Sequence, residues 1–542
     1  MIPTTSKSLN LYLLTTTAAA LLLVFLSAST ATLDDSLTYI WPLPAHFTAG
    51  NDTLTVDPDL SLSFSGNSDI LSDGFLRYKH LIFKQVARFS SRFRFLQSSV
   101  FDVSVLQIVL RSPDEELQLG VDESYSLEIT RKDHTSIVGV AKIQANTVYG
   151  ALRALETFSQ LCTFDYASKS VKIFKAPWYI EDLPRFVYRG LLIDTSRHYL
   201  PIDVIKQILD SMMYAKLNVL HWHIVDEESF PFETPSYPYL WKGSYSKWER
   251  YTAEDAYEIV NYAKIRGIHV MPEIDVPGHA ESWGIGYPDL WPSLTCKEPL
   301  DVSKNFTFDV VSGIMKDLKR LFPFELFHLG GDEVNTDCWN TTPHIKQWLT
   351  DRNMTTKDAY HYFVVKAQEI AISNNRTPVN WEETFINFPS KLNPRTVVHN
   401  WLVSGICPRA VAKGFRCIYS NQGVWYLDHL DVPWQPVYDA EPLEGISDAA
   451  QQDLILGGEV CMWGETGDTS DVQQTIWPRA AAAAERLWSS RESTSSGNIN
   501  HTVLPRLHYF RCLLNMRGVQ AAPVTNYFAR RPPSGPGSCY DQ

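Results

Sequence analysis

The sequence predicts an α/β protein: a (β/α)8 TIM barrel preceded by a small α+β domain. Three observations carry that reading. From Arg185 onward, eight short strand-like runs alternate with amphipathic helical stretches over roughly 300 residues. Before Arg185 the rhythm differs: short strand-like runs are followed by a single helical stretch. No GxGxxG or Walker loop follows a strand, which disfavours the open doubly wound sheet that the same alternation allows.

The small domain comes first in the chain. Leu106–Leu110 and Tyr125–Ile129 read as strands, and Thr147–Leu161 places Leu152, Leu155 and Phe158 at helical spacing. Lys175-Ala-Pro-Trp-Tyr179 leads to Pro184 as a junction, so the domains are expected at 32–183 and 184–542. The expected barrel strands are Gly190–Asp194, Asn218–Val225, His269–Ile274, Leu326–Leu329, Pro378–Trp381, Thr396–Trp401, Arg416–Tyr419 and Leu454–Cys461. Between them fall helices such as Ile202–Ala215, Ala253–Ile265, Val310–Leu321 and Asp358–Ser373. Such a barrel carries its active site at the C-terminal ends of the strands.

Composition narrows the function. In 542 residues, 44% hydrophobic and 12% aromatic content exclude a disordered chain. A net charge of −13 without a long basic run argues for no nucleic-acid partner. Residues 1–31 read as a signal peptide: Lys7, an uncharged run from Leu11 to Leu26, then small residues. No second long apolar stretch occurs, so no stable membrane span is expected after cleavage. Sequons at Asn51, Asn305, Asn340, Asn353 and Asn500 agree with passage through the secretory pathway, to the vacuole or the extracellular space. Asn375 is set aside because Pro378 follows its Thr377. The even count of eight cysteines suggests disulfides in an oxidising compartment, with Cys162 and Cys461 as buried free thiols.

The sharpest chemical segment is Phe327-His-Leu-Gly-Gly-Asp-Glu-Val334. Neighbours on a strand point to opposite faces, so Asp332 and Glu333 share a pocket only where the backbone leaves the strand, which the glycines permit. Two close carboxylates split their proton affinities, leaving one charged and the other an acid. In Met271-Pro-Glu-Ile-Asp-Val-Pro-Gly-His279, Glu273 and Asp275 share one strand face and His279 lies beyond a turn. A histidine held by a carboxylate can tune an acid elsewhere in the pocket. His221-Trp-His-Ile-Val-Asp226 reads either as a barrel strand with satisfied histidines or as a metal site completed by His279 and His328. Finally, Trp381, Trp401, Trp425-Tyr426-Leu-Asp428 and Trp463-Gly-Glu465 stand at or just after four successive late strands. Aromatic walls alternating with carboxylates suggest a carbohydrate pocket.

With these residues in place, the chain resembles the β-N-acetylhexosaminidases of glycoside hydrolase family 20, and most of all plant members of vacuolar or secreted type. The resemblance covers nearly the whole mature chain and rests on Arg189–Tyr199, His221–Asp226, Glu273–His279, His328–Val334 and Gly458–Glu465. It implies exo-hydrolysis of terminal β-linked N-acetylglucosamine and N-acetylgalactosamine, with retention, through an oxazolinium formed by the substrate's own acetamido group. It implies no cofactor and no metal. Glu333 would be the general acid and base, Asp332 would hold the acetamido N–H, and Tyr426 would bond its oxygen. Asp226 and His279 would orient Glu333. Trp381, Trp401 and Trp463 would wall the acetamido methyl and the sugar, and Arg189, Asp428 and Glu465 would bind ring hydroxyls. Arg189 rests on the resemblance alone, because it precedes its strand. The family pairs cysteines at the positions of Cys296–Cys338 and Cys512–Cys539; Cys407–Cys417 is a further candidate from proximity. Members are often dimers, so a homodimer is the partner the resemblance allows besides the carbohydrate. A lectin-like protein on an inactive barrel is the non-enzymatic alternative, opposed by the intact Asp332, Glu333 and Tyr426.

Overall fold

The computed structural model describes residues 37–90, 101–130, 139–495 and 498–525. The signal-peptide stretch lies outside the described residues. The chain first forms a six-stranded sheet in the order β1-β2-β4-β3-β6-β5, with β1 also pairing β6. Its elements are β1 (His46–Phe64), α1 (Asp69–Ser90), β2 (Val103–Leu110), β3 (Tyr125–Ile129), β4 (Gly139–Ala145), α2 (Val148–Leu161), β5 (Cys162–Asp165) and β6 (Ser170–Asp182). Thr147 caps α2 by accepting from the Gly150 N–H at 3.1 Å. Every residue of α2 is buried, as expected of a helix held between two layers. Its polar side chains are all matched: Arg153 to Glu123 at 2.7 Å, Glu156 to Arg517 at 2.8 Å, and Thr157 to the Tyr125 hydroxyl at 2.6 Å. Arg153 also donates to the Gly267 carbonyl of the second domain at 2.7 Å.

That second domain is a closed barrel of eight parallel strands. The strands are β7 (Tyr188–Asp194), β8 (Val219–Val225), β9 (His269–Ile274), β10 (Leu326–His328), β11 (Thr377–Trp381), β12 (Val397–Asn400), β13 (Arg416–Tyr419) and β14 (Ile455–Met462). All eight lie within two residues of the expected bounds. The interleaved helices include α3 (Ile202–Tyr214), α4 (Ala253–Lys264), α5 (Asn305–Leu321) and α6 (Thr356–Ser373). Capping boxes at Thr252/Asp255 and Thr355/Asp358 start α4 and α6. Side chains fill the barrel interior in layers. An apolar floor contains Val219, Met271, Leu326 and Val397. Above it sit His221, Glu273, His328, His399 and Glu459, all fully buried. An aromatic layer of Trp381, Tyr426 and Trp463 lies at the mouth.

Strand polarity corrects one expectation. Arg189 is at the start of β7, at the opposite end of the barrel from the strand C-termini, and is fully buried. Its guanidinium lies 2.7 Å from Glu123 of the small domain and donates to the carbonyls of Lys216 at 2.9 Å and Phe186 at 2.8 Å. It fastens the two domains together and cannot reach a ligand at the mouth. Disulfides join Cys296–Cys338 and Cys407–Cys417. Cys461 is buried and free, and Cys162 is free but only half-buried. The Cys512–Cys539 pair involves Cys539, which is outside the described residues.

Arg189→Met leaves Glu123 with one cation in place of two. We expect a loss of about 3–5 kcal/mol of stability, read as a lower Tm, with KM unchanged. An unchanged Tm with a raised KM would return Arg189 to the substrate pocket.

Candidate active site

Residues just past the strand C-termini converge on a cavity of about 220 Å³. Arg197 follows β7, Asp226 follows β8, Asp275 and His279 follow β9, and Asp332 and Glu333 follow β10. Trp401 follows β12, Tyr426 and Asp428 follow β13, and Trp463 and Glu465 follow β14.

The turn after β10 brings the two adjacent carboxylates to one side. Gly330 and Gly331 adopt φ of +59° and +94°. A Cβ at Gly330 would stand 1.9 Å from the Asp275 carboxylate, so only glycine lets that carboxylate tuck beneath the turn. Asp275 then accepts from the Gly331 N–H at 2.8 Å. Glu333 is itself left-handed at φ +47°, as is His279 at +52°; strained non-glycine backbone of this kind clusters at functional sites.

His279 links Asp226 to the pair. Its Nδ1–H donates to Asp226 Oδ1 at 3.0 Å, and its Nε2 lies 3.5 Å from Glu333 Oε2 and 3.8 Å from Asp332 Oδ2. Asp226 is fully buried. Burial would raise its pKa, but the bonds from His223 and His279 hold the carboxyl well below the usual range. Glu333 is also lowered, first by its contact with His279. The splitting expected between Asp332 and Glu333 therefore takes a different form. The carboxylate that crowds Asp332 is Asp275, pushed up by burial and by the Asp332 charge, while Glu333 answers to His279.

Trp401 and Tyr426 stand nearly parallel, with centroids 6.1 Å apart and planes at 11°, and Trp463 is 6.1 Å from Tyr426. Trp401 Nε1–H donates to Glu383 at 2.9 Å. Burial keeps the Tyr426 phenol well above its ordinary pKa, so it remains a hydroxyl. Asp428 Oδ1 is buried without a hydrogen-bond donor among the described residues, whereas the Glu465 side chain is 54% exposed at the rim. Trp381 departs from expectation. Being the last residue of β11 itself, it points into the barrel, is 1% exposed, stacks on His399 and donates to Glu273 at 2.9 Å. It packs against Trp463 at 6.0 Å, in the same aromatic cluster as Tyr426 and Trp401, at the back of the wall they form.

Sequence reasoning assigned no role to Arg197. It stands three residues beyond β7, at the correct end of the barrel, with Nη1 3.1 Å from Asp194, Nη2 2.8 Å from Asp226 and Nε 3.0 Å from Glu228. The strand-end rule that made Arg189 awkward selects Arg197. Both nitrogens of His223, and Nδ1 of His221, are hydrogen-bonded to carboxylates. His221 lies 2.8 Å from Glu459 and 3.1 Å from Glu273; His223 lies 2.6 Å from Glu273 and 2.7 Å from Asp226. His223 thus matches the satisfied-histidine reading, whereas His221 makes its hydrogen bond through Nδ1 and its buried Nε2, near Glu273, makes none.

Comparison with known proteins agrees with this geometry. The model of glycosyl hydrolase family 20, catalytic domain, matches residues 186–491, and that of the beta-acetyl hexosaminidase-like domain matches residues 40–161. Beta-hexosaminidase 1 of Arabidopsis thaliana is 69% identical over 522 residues, covering 95% of this chain and 96% of the relative. Beta-hexosaminidase subunit beta of Homo sapiens is 36% identical over 90% of this chain and 88% of its own. Among solved structures, the Flavobacterium johnsoniae chitobiase superposes with a TM-score of 0.76 at 30% identity, over 90% of this chain and 74% of that one.

Above neutrality the groups in and beneath the site pull stability one way. Burial opposes charge on His221 and His223, but their carboxylate partners raise them to about 9 and about 10 from 6.5. Burial and Asp332 raise Glu383 to about 8 from 4.5. From pH 6.5 upward the folded state thus holds protons that the unfolded chain has released, and stability falls as pH rises. Tm is expected to drop between pH 6.5 and 9, and to drop less in Glu383→Gln, which cannot ionise. A Tm that rises over this window contradicts the assignment.

Proposed function

The chain belongs to glycosyl hydrolase family 20, and on that premise we propose that it is an exo-acting β-N-acetylhexosaminidase. It releases terminal β-linked N-acetylglucosamine, and N-acetylgalactosamine, from the non-reducing ends of N-glycans, glycoconjugates or chitooligosaccharides. The observation that carries the reading is Asp332: its Oδ1 is buried with no donor among the described residues, at the edge of a cavity walled by Tyr426, Trp401 and Trp463. A buried carboxylate oxygen without a donor is costly, and an acetamido N–H supplies that donor. The cavity is smaller than the ~300–1,000 Å³ of drug-sized sites, which supports binding of a single terminal sugar.

The reaction runs in two steps. Asp332 accepts from the acetamido N–H, and the Tyr426 hydroxyl donates to the acetamido oxygen, fixing it below the anomeric carbon. That oxygen attacks the carbon as the glycosidic bond breaks, and the Glu333 proton passes to the leaving oxygen. The resulting oxazolinium carries positive charge on nitrogen, which the Asp332 carboxylate stabilises. Water then adds to the anomeric carbon, Glu333 takes its proton, and the ring opens with net retention. A tethered nucleophile has an effective molarity on the order of 10⁵ M or more when well aligned, so no side chain need attack. Arg197, Asp428 and Glu465 surround the cavity as partners for ring hydroxyls.

The setting proposed is the secretory pathway, vacuolar or extracellular, supported by exposure of all five sequon asparagines and by two disulfides. A homodimer is the assembly proposed; relatives named as subunits support assembly into an oligomer. Among the described residues no helix is long and apolar enough to cross a membrane.

Aryl β-glycosides of N-acetylglucosamine, N-acetylgalactosamine and glucose test the substrate class. The two acetamido sugars should be hydrolysed and the glucoside left nearly untouched; equal turnover of all three would overturn the proposal. Glu333→Gln should lower kcat by about 10²–10⁴, and a fully active variant would remove Glu333 from its role.

A further inference from the structure

Beneath the pocket, imidazoles and carboxylates alternate down the barrel. From Glu333 the chain passes through His279 and Asp226 to His223, whose Nε2 lies 2.7 Å from Asp226 Oδ2. His223 Nδ1 lies 2.6 Å from Glu273 Oε2. Glu273 also meets His221 at 3.1 Å, His328 at 2.8 Å and the Trp381 N–H at 2.9 Å. His221 in turn reaches Glu459, the carboxylate bonded by the Tyr188 hydroxyl.

Both nitrogens of His223 are within hydrogen-bond distance of carboxylate oxygens, and the residue is 1% exposed. A neutral imidazole has one N–H. Its other nitrogen would set a lone pair against a buried carboxylate oxygen, which is strongly unfavourable in a low-dielectric interior. Burial would raise Asp226 and Glu273, yet the histidines around them hold both below the ordinary carboxyl range. Against two ionised carboxylates only the doubly protonated ring satisfies both contacts. We propose that His223 is a permanent imidazolium, anchored by Glu273, that keeps Asp226 ionised and sets how tightly the His279–Glu333 pair holds its proton. His223 and Glu273 are positioning residues, acting on the substrate only through Asp226 and His279. The inference rests on the general-acid role of Glu333 given above.

Other charges also face this chain. Arg197 shares Asp226 Oδ2 at 2.8 Å, Asp194 holds Arg197, and Asp275 and Asp332 lie beside His279. They remain in place when His223 is changed, so the shift on removing His223 reports its own charge. Burial works against a charged His223, yet Glu273 and Asp226 together raise it to about 10. The ring therefore keeps its charge across the mildly acidic to neutral range.

His223→Gln removes one buried positive charge. The groups around it then bind protons more tightly, so both limbs of the kcat/KM profile should move to higher pH, by about one unit. A role in packing alone would lower kcat and leave the limbs in place, and that result overturns the proposal. Neutron diffraction of the unmodified protein provides a second test that needs neither a variant nor turnover. Deuterium on both Nδ1 and Nε2 of His223 is the expected result; deuterium on one nitrogen only refutes the inference. If the unmodified enzyme fails to cleave N-acetylhexosaminides, the functional reading falls while the neutron result still decides the charge of His223.

Discussion

A negative charge held where little water can reach it is the constraint on which the site depends. Asp332 is 7% exposed, its Oδ1 has no donor among the described residues, and Asp275 is pressed against it. Two buried carboxylates that close cannot both ionise freely. Asp275 is the one pushed up, by its burial and by the Asp332 charge beside it. The local backbone follows from that need. Gly330 makes room for Asp275, Gly331 donates to it, and the Tyr360 hydroxyl ties down the Gly331 carbonyl. A larger residue at Gly330 would separate the carboxylates and dissolve the arrangement.

Charge balance extends this logic below the mouth. The barrel interior holds Glu273 and Glu459, both fully buried, and surrounds them with histidines and hydroxyl or indole donors. Buried charge is tolerable when it is paired and hydrogen-bonded, and here the pairing also gives direction. Asp226 accepts from His223 and Arg197 on one oxygen and from His279 on the other. The imidazole of His279 is thereby aimed at Glu333. The small domain serves the same framework from the far end, where Glu123 joins Arg153 and Arg189, and Asp182 joins Lys216 at 2.8 Å. A barrel whose floor is clamped in this way presents its strand ends as a rigid rim.

Much of this was legible in the sequence. The eight strands were found because parallel strands buried on both faces read as continuous apolar runs between turn signals. The Gly-Gly-Asp-Glu segment announces a departure from strand geometry, and the Pro-Gly turn marks His279 as a histidine held by a carboxylate; that the carboxylate is Asp226 comes from the resemblance and agrees with the 3.0 Å contact. What escaped detection depended on three-dimensional polarity and packing. Arg189 and Arg197 lie in one short segment, and resemblance favoured the first; only the barrel's direction shows that the first is at the floor. Trp381 ends its strand level with His399, two residues short of the height of Trp401, which sets it one layer behind the wall tryptophans. Asp275 was seen as a neighbour of Glu273, but its contact with Asp332 spans a sequence gap that no local pattern encodes. The same holds for Glu383, whose bond to Trp401 forms between successive strand ends.

Nucleophilic attack by the acetamido oxygen is the step that gives Asp332, Tyr426 and the tryptophan wall a common purpose. The most direct test is the rate across aryl β-glycosides whose N-acetyl group carries zero, one, two or three fluorine atoms. Fluorine withdraws electrons from the carbonyl oxygen while changing its size little. The account predicts a progressive and steep fall in kcat/KM along the series. A rate that stays level with fluorination would show that the amide takes no part in bond breaking, and would contradict it.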